Sequence, residues 1–399
     1  MSVSLTTNHL PVTEPPAGEP YVPLRRDELI DMLVRQGKLE GPEAIEFRKL
    51  CKLIAAVFHQ NYHEHQEQLK RLYAPFDPDS ETRPLGQGTH RPRGELLDEF
   101  LGNFSEVLLA AHYRPLEPKE LEFALTGASN WGLDLQINRD IFDRLLIFVR
   151  GDESLSRMRR DVSTWFRRRV FDLEVYQRLV LVVKLKQAGT VKELIDTESL
   201  YLKMFREIPK LDLEMLLPGT RPRMRWADAT KIGGSSLAAL WSLVRFVLYS
   251  KFTWFMVAVG AFSYGLQSFL GYRRTKAEYV YSMTQQLYYQ NLDNNAGVFC
   301  RLIDEAEDEE TKEVILAFYF LWRDADQPWT PDRLAAQIDK LLREQTGDGC
   351  RFQAREAIAK LERLGLLTDS DRLQAVAPAE AMQRLADRWK EHLAAEFAS

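Results

Sequence analysis

The sequence predicts an α+β membrane protein: N-terminal helices, a small mixed β-sheet domain, one or two transmembrane helices with a hairpin favoured, and a C-terminal helical and winged-helix-like region. Three observations carry that reading. Residues 252–271, FTWFMVAVGAFSYGLQSFLG, contain no charged side chain in a chain that is 28% charged. Residues 115–232 hold short alternating or β-branched runs, which suit strands. On either side of these regions, apolar residues recur at helical spacing.

The elements follow in order. Residues 1–20, MSVSLTTNHLPVTEPPAGEP, have neither the apolar core of a signal peptide nor the arginines of a transit peptide, and are expected to be a disordered tail. An N-terminal helical region spans 21–114. There Leu29, Leu33, Phe47, Leu50, Ile54, Val57 and Phe58 predict a helix pair broken at Gly41-Pro42. The Pro- and Gly-rich stretch 74–94 is a loop, and helical periodicity returns over 95–113. An α+β domain is expected over 115–232, with strands in Leu133/Leu135/Ile137, in 144–151, in YQRLVLVVKLK and in SLYLKMFREIP. After the membrane segment, residues 273–325 read as helical and carry an acidic cluster at 304–310. Residues 326–399 begin with a Thr330 cap and Pro331 at the first helical position, and continue helix, helix, strand, the order of a winged helix.

The membrane segment is placed at 233–272, with spans at about 236–250 and 252–271. Twenty helical residues cover about 30 Å, the hydrocarbon thickness of a bilayer. Lys251, Trp254, Tyr272, Arg273 and Arg274 are the expected interfacial anchors. The earlier span contains Arg245, so it is either the first arm of a hairpin or an interfacial helix leading into a single span. Basic residues on both flanks favour the hairpin, Lys251 in its turn opposes it, and a buried helix in a large core is the alternative.

Composition narrows the partners. A net charge of −5 over 399 residues gives no global case for nucleic acid. Cys51, Cys300 and Cys350 form no paired framework, which suits a reducing compartment. Residues 150–186 hold ten basic and five acidic residues, read either as a surface for anionic lipid headgroups or as a solvated helix face. The winged-helix-like region carries eleven basic and twelve acidic residues from 330 onward, so a protein contact is expected there in place of DNA.

No cofactor or metal is expected. His59, His63 and His65 in HQNYHEH lack the glutamate of a zincin, since Gln60 follows His59. Asp77, Asp79 and Glu81 begin like a calcium loop, but Thr82 and Gly88 replace its glycine and bidentate glutamate. No P-loop, GxGxxG, GxSxG or CxxC is found, and enzymatic activity is left undecided.

The strings YVPLRRDELIDML, YAPFDPDSETR, YLKMFREIPKLDLEMLLPGTRPRMRWADATKIG, GYRRTKAEY and LYYQNLDNNAGVFCRLIDEAEDEETKE stand in one order along the chain. In them the chain resembles the transmembrane protein 143-like family, also catalogued as domain of unknown function 3754. The resemblance implies an integral membrane protein with two spans and no assigned activity. Without a presequence, a bacterial inner membrane with most of the chain cytoplasmic is expected ahead of a mitochondrial membrane. The resulting expectation is a membrane-anchored scaffold or protein-interaction platform. Its partners would be the lipid bilayer, anionic lipids and an unidentified protein, with homo-oligomerisation open. One alternative is a membrane-surface hydrolase or lipid-handling enzyme using Asp212, Glu214, Asn291, Asp293, Asn294 and Asn295. Another is a membrane-tethered winged-helix regulator. The strings around Asp212 and Asp293 are expected to dock on one another.

Overall fold

The computed structural model describes residues 21–81, 91–117, 119–121, 134–136, 141–160, 168–186, 196–210, 213, 216–217, 221–223, 263, 266–267, 270, 281, 288–347, 349–369 and 373–398. The chain forms two compact units: Met1–Pro75, Thr82–Arg114 and Ala296–Ser399 make one, and Phe76–Glu81 with Pro115–Asn295 make the other.

The first unit is helical. Helix α1 (Arg26–Gln36) and helix α2 (Gly41–Tyr73) are the expected pair, and Gly41-Pro42 opens the second helix, where a missing amide costs nothing. Helix α3 (Arg93–Ala110) follows. Helix α4 (Ala296–Arg323) is the centre of the unit, packed against α1, α2 and α3. Its residues from Thr311 to Leu321 are buried without a break, so it presents no solvent stripe there. An aromatic stack locks it in place, with Phe47 edge-on to Tyr319 and stacked on Trp322, while Tyr73 and Phe100 meet Phe299. Gly37 ends α1 against this core, since a Cβ there would lie 2.5 Å from the Tyr319 hydroxyl.

Helix α5 (Pro331–Thr346), helix α6 (Ala354–Arg363) and the antiparallel hairpin β8 (Leu367–Asp369) and β9 (Gln374–Ala375) come next, before helix α7 (Pro378–Ala398). Thr330 Oγ1 accepts from Arg333 N, so the cap stands where the sequence puts it. Helix α6 packs on α4 and α7 on α2, so these elements share the core of the first unit.

The second unit is built on a sheet in the order β1 (Arg114–Pro115), β3 (Phe142–Arg160), β4 (Arg168–Leu185), β5 (Tyr201–Pro209), β7 (Asn291–Asn294), and a separate pair joins β2 (Asp134–Gln136) to β6 (Arg221–Arg223). Strand β4 is buried on both faces from Leu179 to Val183, which explains its unbroken apolar run. One face gathers Val149, Leu179, Leu181, Phe205, Ile208 and Leu213. Gly151 has a φ of +70° where β3 passes Gln177, and a Cβ there would meet that side chain at 2.5 Å.

Four expectations are corrected. The sheet pairings β3–β4, β4–β5 and β5–β7 are antiparallel, not mixed: β3, β4 and β5 follow one another in sequence and in the sheet, whereas β7 joins the edge of β5 across about eighty residues of sequence. The basic residues of 157–169 that the structure describes stand on β3 and β4, not on a helix, because their strands pair in continuous register. The helical reading of 273–325 is interrupted at residues 291–294, which pair as β7 with the edge of β5; Tyr288–Gln290 before them are helical, and α4 starts at Ala296. The transmembrane helices are overturned: among the described residues no helix is long and apolar enough to cross a membrane. The longest apolar run in a described helix is that of α4, where protein packing, not hydrocarbon, covers the apolar side chains. Most of 233–272 lies outside the described residues, and Ser263, Leu266, Gln267 and Leu270 within it are exposed.

Candidate functional site

Two polar clusters stand out, one in each unit. In the sheet unit, the left-handed residue Asn295 (φ 48°) ends β7 and is buried. Its backbone N–H donates to Leu202 O at 2.8 Å and its Oδ1 accepts from Leu202 N at 3.2 Å, so it acts as one more rung of the ladder on β5. Its Nδ2 donates to Asp79 Oδ2. Asp79 is in turn set by its own N–H donating to Asp77 Oδ1, an Asx turn. The segment is fixed again where Leu200 N donates to Phe76 O. The DPDSETR loop therefore caps the sheet edge through one asparagine. Two strings far apart in sequence, at 77–81 and 290–295, meet at β5.

Asn291, Asp293 and Asn294 register with Phe205, Met204 and Lys203 on β5, so the structure gathers these expected residues on one edge strand. Beside them Gln290 Nε2 donates to Glu207 O, while Gln290 Oε1 and Asn291 Oδ1 are buried with no hydrogen-bond partner among the described residues. Asp212 and Glu214, and the anchors Lys251, Trp254, Tyr272, Arg273 and Arg274, lie outside the described residues. Their neighbours Leu213 and Leu217 are buried in the sheet core.

In the helical unit Glu309 and Glu313 of α4 are buried, while Asp304 stays exposed. Glu313, 2% exposed, accepts from His112 Nε2 and from Lys360 Nζ, both at 2.8 Å. Lys360 also reaches Glu310 at 3.1 Å. One turn earlier, Lys312 Nζ donates to Glu309 Oε1 at 2.7 Å and to the carbonyls of Val22 and Leu24, and Glu309 Oε2 accepts from Val22 N. Tyr113 donates to Glu305 and His59 pairs with Glu307. His112 holds its place at φ 61° just past α3, where Tyr113 N returns to Leu108 O.

The electrostatics follow from this wiring. Burial alone would raise the Glu313 carboxyl, but the His112 hydrogen bond and the Lys360 charge outweigh it and hold it below the usual carboxylate range. Burial opposes the Lys360 charge, and Glu313 and Glu310 overcome it, so its ammonium is held above its usual range. Burial, then the Glu310 charge and hydrogen bond, push the Tyr62 hydroxyl up. Burial pushes the thiols of Cys51 and Cys350 up to about 12, which makes them poor nucleophiles near neutrality. The cluster contains acid, base and amine within hydrogen-bond reach, yet each is committed to another.

Sequence reasoning placed the acids at 304–310 but not Glu313, and missed its partners His112, just past α3, and Lys360 on α6. The available signal was Lys312 and Glu313 at the end of the charged run DEAEDEETKE, directly before the apolar VILAFYFLW. On α2, a shallow depression of about 490 Å³ is lined by His63, Glu64, His65, Glu67 and Arg71. Among the described residues no group of three or more His, Cys, Asp or Glu could hold a metal ion.

Residues 142–297 match the family model described as protein of unknown function (DUF3754). The match begins at the first residue of β3 and runs through β7 to the start of α4, so it covers the strands β3 to β7 and Asn295. No solved structure matches the chain.

Proposed function

We propose that the protein is an interaction platform whose sheet unit receives an extended segment of a protein partner at the edge strand β7, and that its likeness to the transmembrane protein 143-like family extends along the strings on either side of 142–297. The observation that carries the reading is the pair Tyr288 and Tyr289. They are 77% and 65% exposed and packed edge to face at 5.0 Å, immediately before β7. Tyrosine offers a large, stiff contact area with a polar tip, and interfaces are enriched in it. Strand β7 is the last in its sheet, and among the described residues no strand covers its outer edge. An edge with no further strand beside it is a template for strand addition, with main-chain hydrogen bonds for affinity and flanking side chains for selectivity.

The buried charges of α4 and α6 add support. Lys312, Glu313 and Lys360 are spent on holding helices and chain segments together, which is what a rigid platform needs. The test is quantitative affinity isolation with the full chain and its Y288S/Y289S variant, with circular dichroism as a check of fold. Proteins, or further copies of this chain, that bind the parent and are lost from the variant support the reading. An unchanged set of bound proteins overturns it.

The hydrolase reading has one observation in its favour, the buried amide oxygens of Gln290 and Asn291, which a donor on a substrate could satisfy. A hydrolase substrate screen in which N291A abolishes turnover would establish it in place of the platform.

A further inference from the structure

Strands β3 and β4 pair over nearly their whole length, but β5 covers β4 only from Val175, opposite Pro209, to Val183. Beyond that register seven residues of each strand, 154–160 and 168–174, run on as a two-stranded ribbon, about 23 Å long at roughly 3.3 Å per residue. Among the described residues neither strand has another strand partner there. The register sets Arg159 opposite Arg169 and Arg160 opposite Arg168, and Arg157 stands two residues nearer the sheet than Arg159, opposite Phe171. Like charges at opposed positions destabilise an antiparallel pair, and a two-stranded ribbon has little stability to spare. A layer of anions would remove that repulsion.

The charge is also graded along the ribbon. At its base the residues are acidic: Asp152, Glu153, Asp172 and Glu174, with Lys210 paired to Asp152 at 3.1 Å and to Glu174 at 3.3 Å. A nucleic acid lying along the ribbon would meet these acids as well as the arginines. Among the described residues, an end-on approach to a flat layer of repeated anions meets the arginines ahead of these acids. We propose that the distal end of the β3–β4 ribbon binds an anionic lipid surface through the five arginines placed there. Such contact needs no membrane-crossing helix, and it is independent of the tyrosine pair and β7.

The experiment is flotation of the full chain with vesicles of phosphatidylcholine, alone or mixed with phosphatidylglycerol, and with a short duplex DNA as competitor. Each basic residue at such a surface contributes about fivefold in affinity, so R159Q/R160Q/R168Q/R169Q should bind the mixed vesicles roughly several hundredfold more weakly. The corresponding four-lysine variant should keep most of the binding, because a headgroup layer reads charge more than guanidinium geometry. Binding of the parent chain should weaken at high salt. Equal flotation with neutral and anionic vesicles, salt-insensitive flotation, or displacement from the vesicles by DNA would overturn the proposal. Should the glutamine variant lose its circular dichroism signal, the lysine variant and the salt series decide the matter on the same criteria.

Discussion

Replacing Glu313 by alanine removes a carboxylate from the middle of the helical unit, where it has two cationic or donor partners at 2.8 Å. Deleting one member of a buried pair leaves the other uncompensated, at a cost of about 3–5 kcal/mol. Lys360 keeps Glu310 at 3.1 Å, so the lower end of that range applies, about 3 kcal/mol. His112 retains no acid and must desolvate alone. For a unit of this size about 3 kcal/mol lowers the midpoint by roughly 6–12 °C. The assay is thermal and urea unfolding of the full chain followed by helical circular dichroism, with Lys340→Ala as control. Lys340 and Glu344 are 4.0 Å apart and mostly exposed, so the control should cost under about 0.5 kcal/mol. If E313A unfolds within about 1 kcal/mol of the parent, the network is not what holds α3, α4 and α6 together.

Other expectations follow from the same geometry. Asn295→Ala removes the side-chain bonds to Leu202 and Asp79 and strains a left-handed backbone, so it should cost about 2–4 kcal/mol and speed amide exchange at Leu202; Asn295→Gly should recover only the backbone part. The pH dependence has two limits. Glu313 lies below its usual 4.5 in the fold, so its contribution is present above that value and lost as pH falls through the lowered one; Lys360 lies above its usual 10.5, so its contribution is present below that value and lost as pH rises through the raised one. A stability profile that is flat at both extremes would contradict the assignment. Gly37→Ala should cost about 1–3 kcal/mol by crowding the Tyr319 hydroxyl, and Tyr319→Phe should relieve most of it in the double variant. Cys51 and Cys350 should resist alkylation near neutral pH until the chain is unfolded.

Much of the helical unit was legible because its cues are local. Gly41-Pro42, the apolar spacing of α2 and the Thr330-Pro331 start all act within one or two turns. The strands β4 and β5 were legible from their β-branched and aromatic content. The register that carries Arg159 and Arg169 to opposed positions is not local, since it depends on where two long strands align. Strand β7 was hidden because NLDN has poor strand propensity and is held by the edge of β5 and by Asn295, contacts made across about ninety positions of sequence, as the bond from Leu202 to Asn295 shows. His112 and Lys360 were invisible as partners of Glu313 for the same reason. The apolar run at 252–271 lies mostly outside the described residues, and among those no helix is long and apolar enough to cross a membrane.

The claim at the centre of the account is that the buried charges hold the fold while the exposed tyrosines beside β7 make the contacts. Affinity isolation of E313Q and Y288S/Y289S side by side, at a temperature where circular dichroism shows both folded, separates the two roles. The account predicts that E313Q retains the proteins bound by the parent chain and that the tyrosine variant loses them. Loss from E313Q with retention by the tyrosine variant would contradict it.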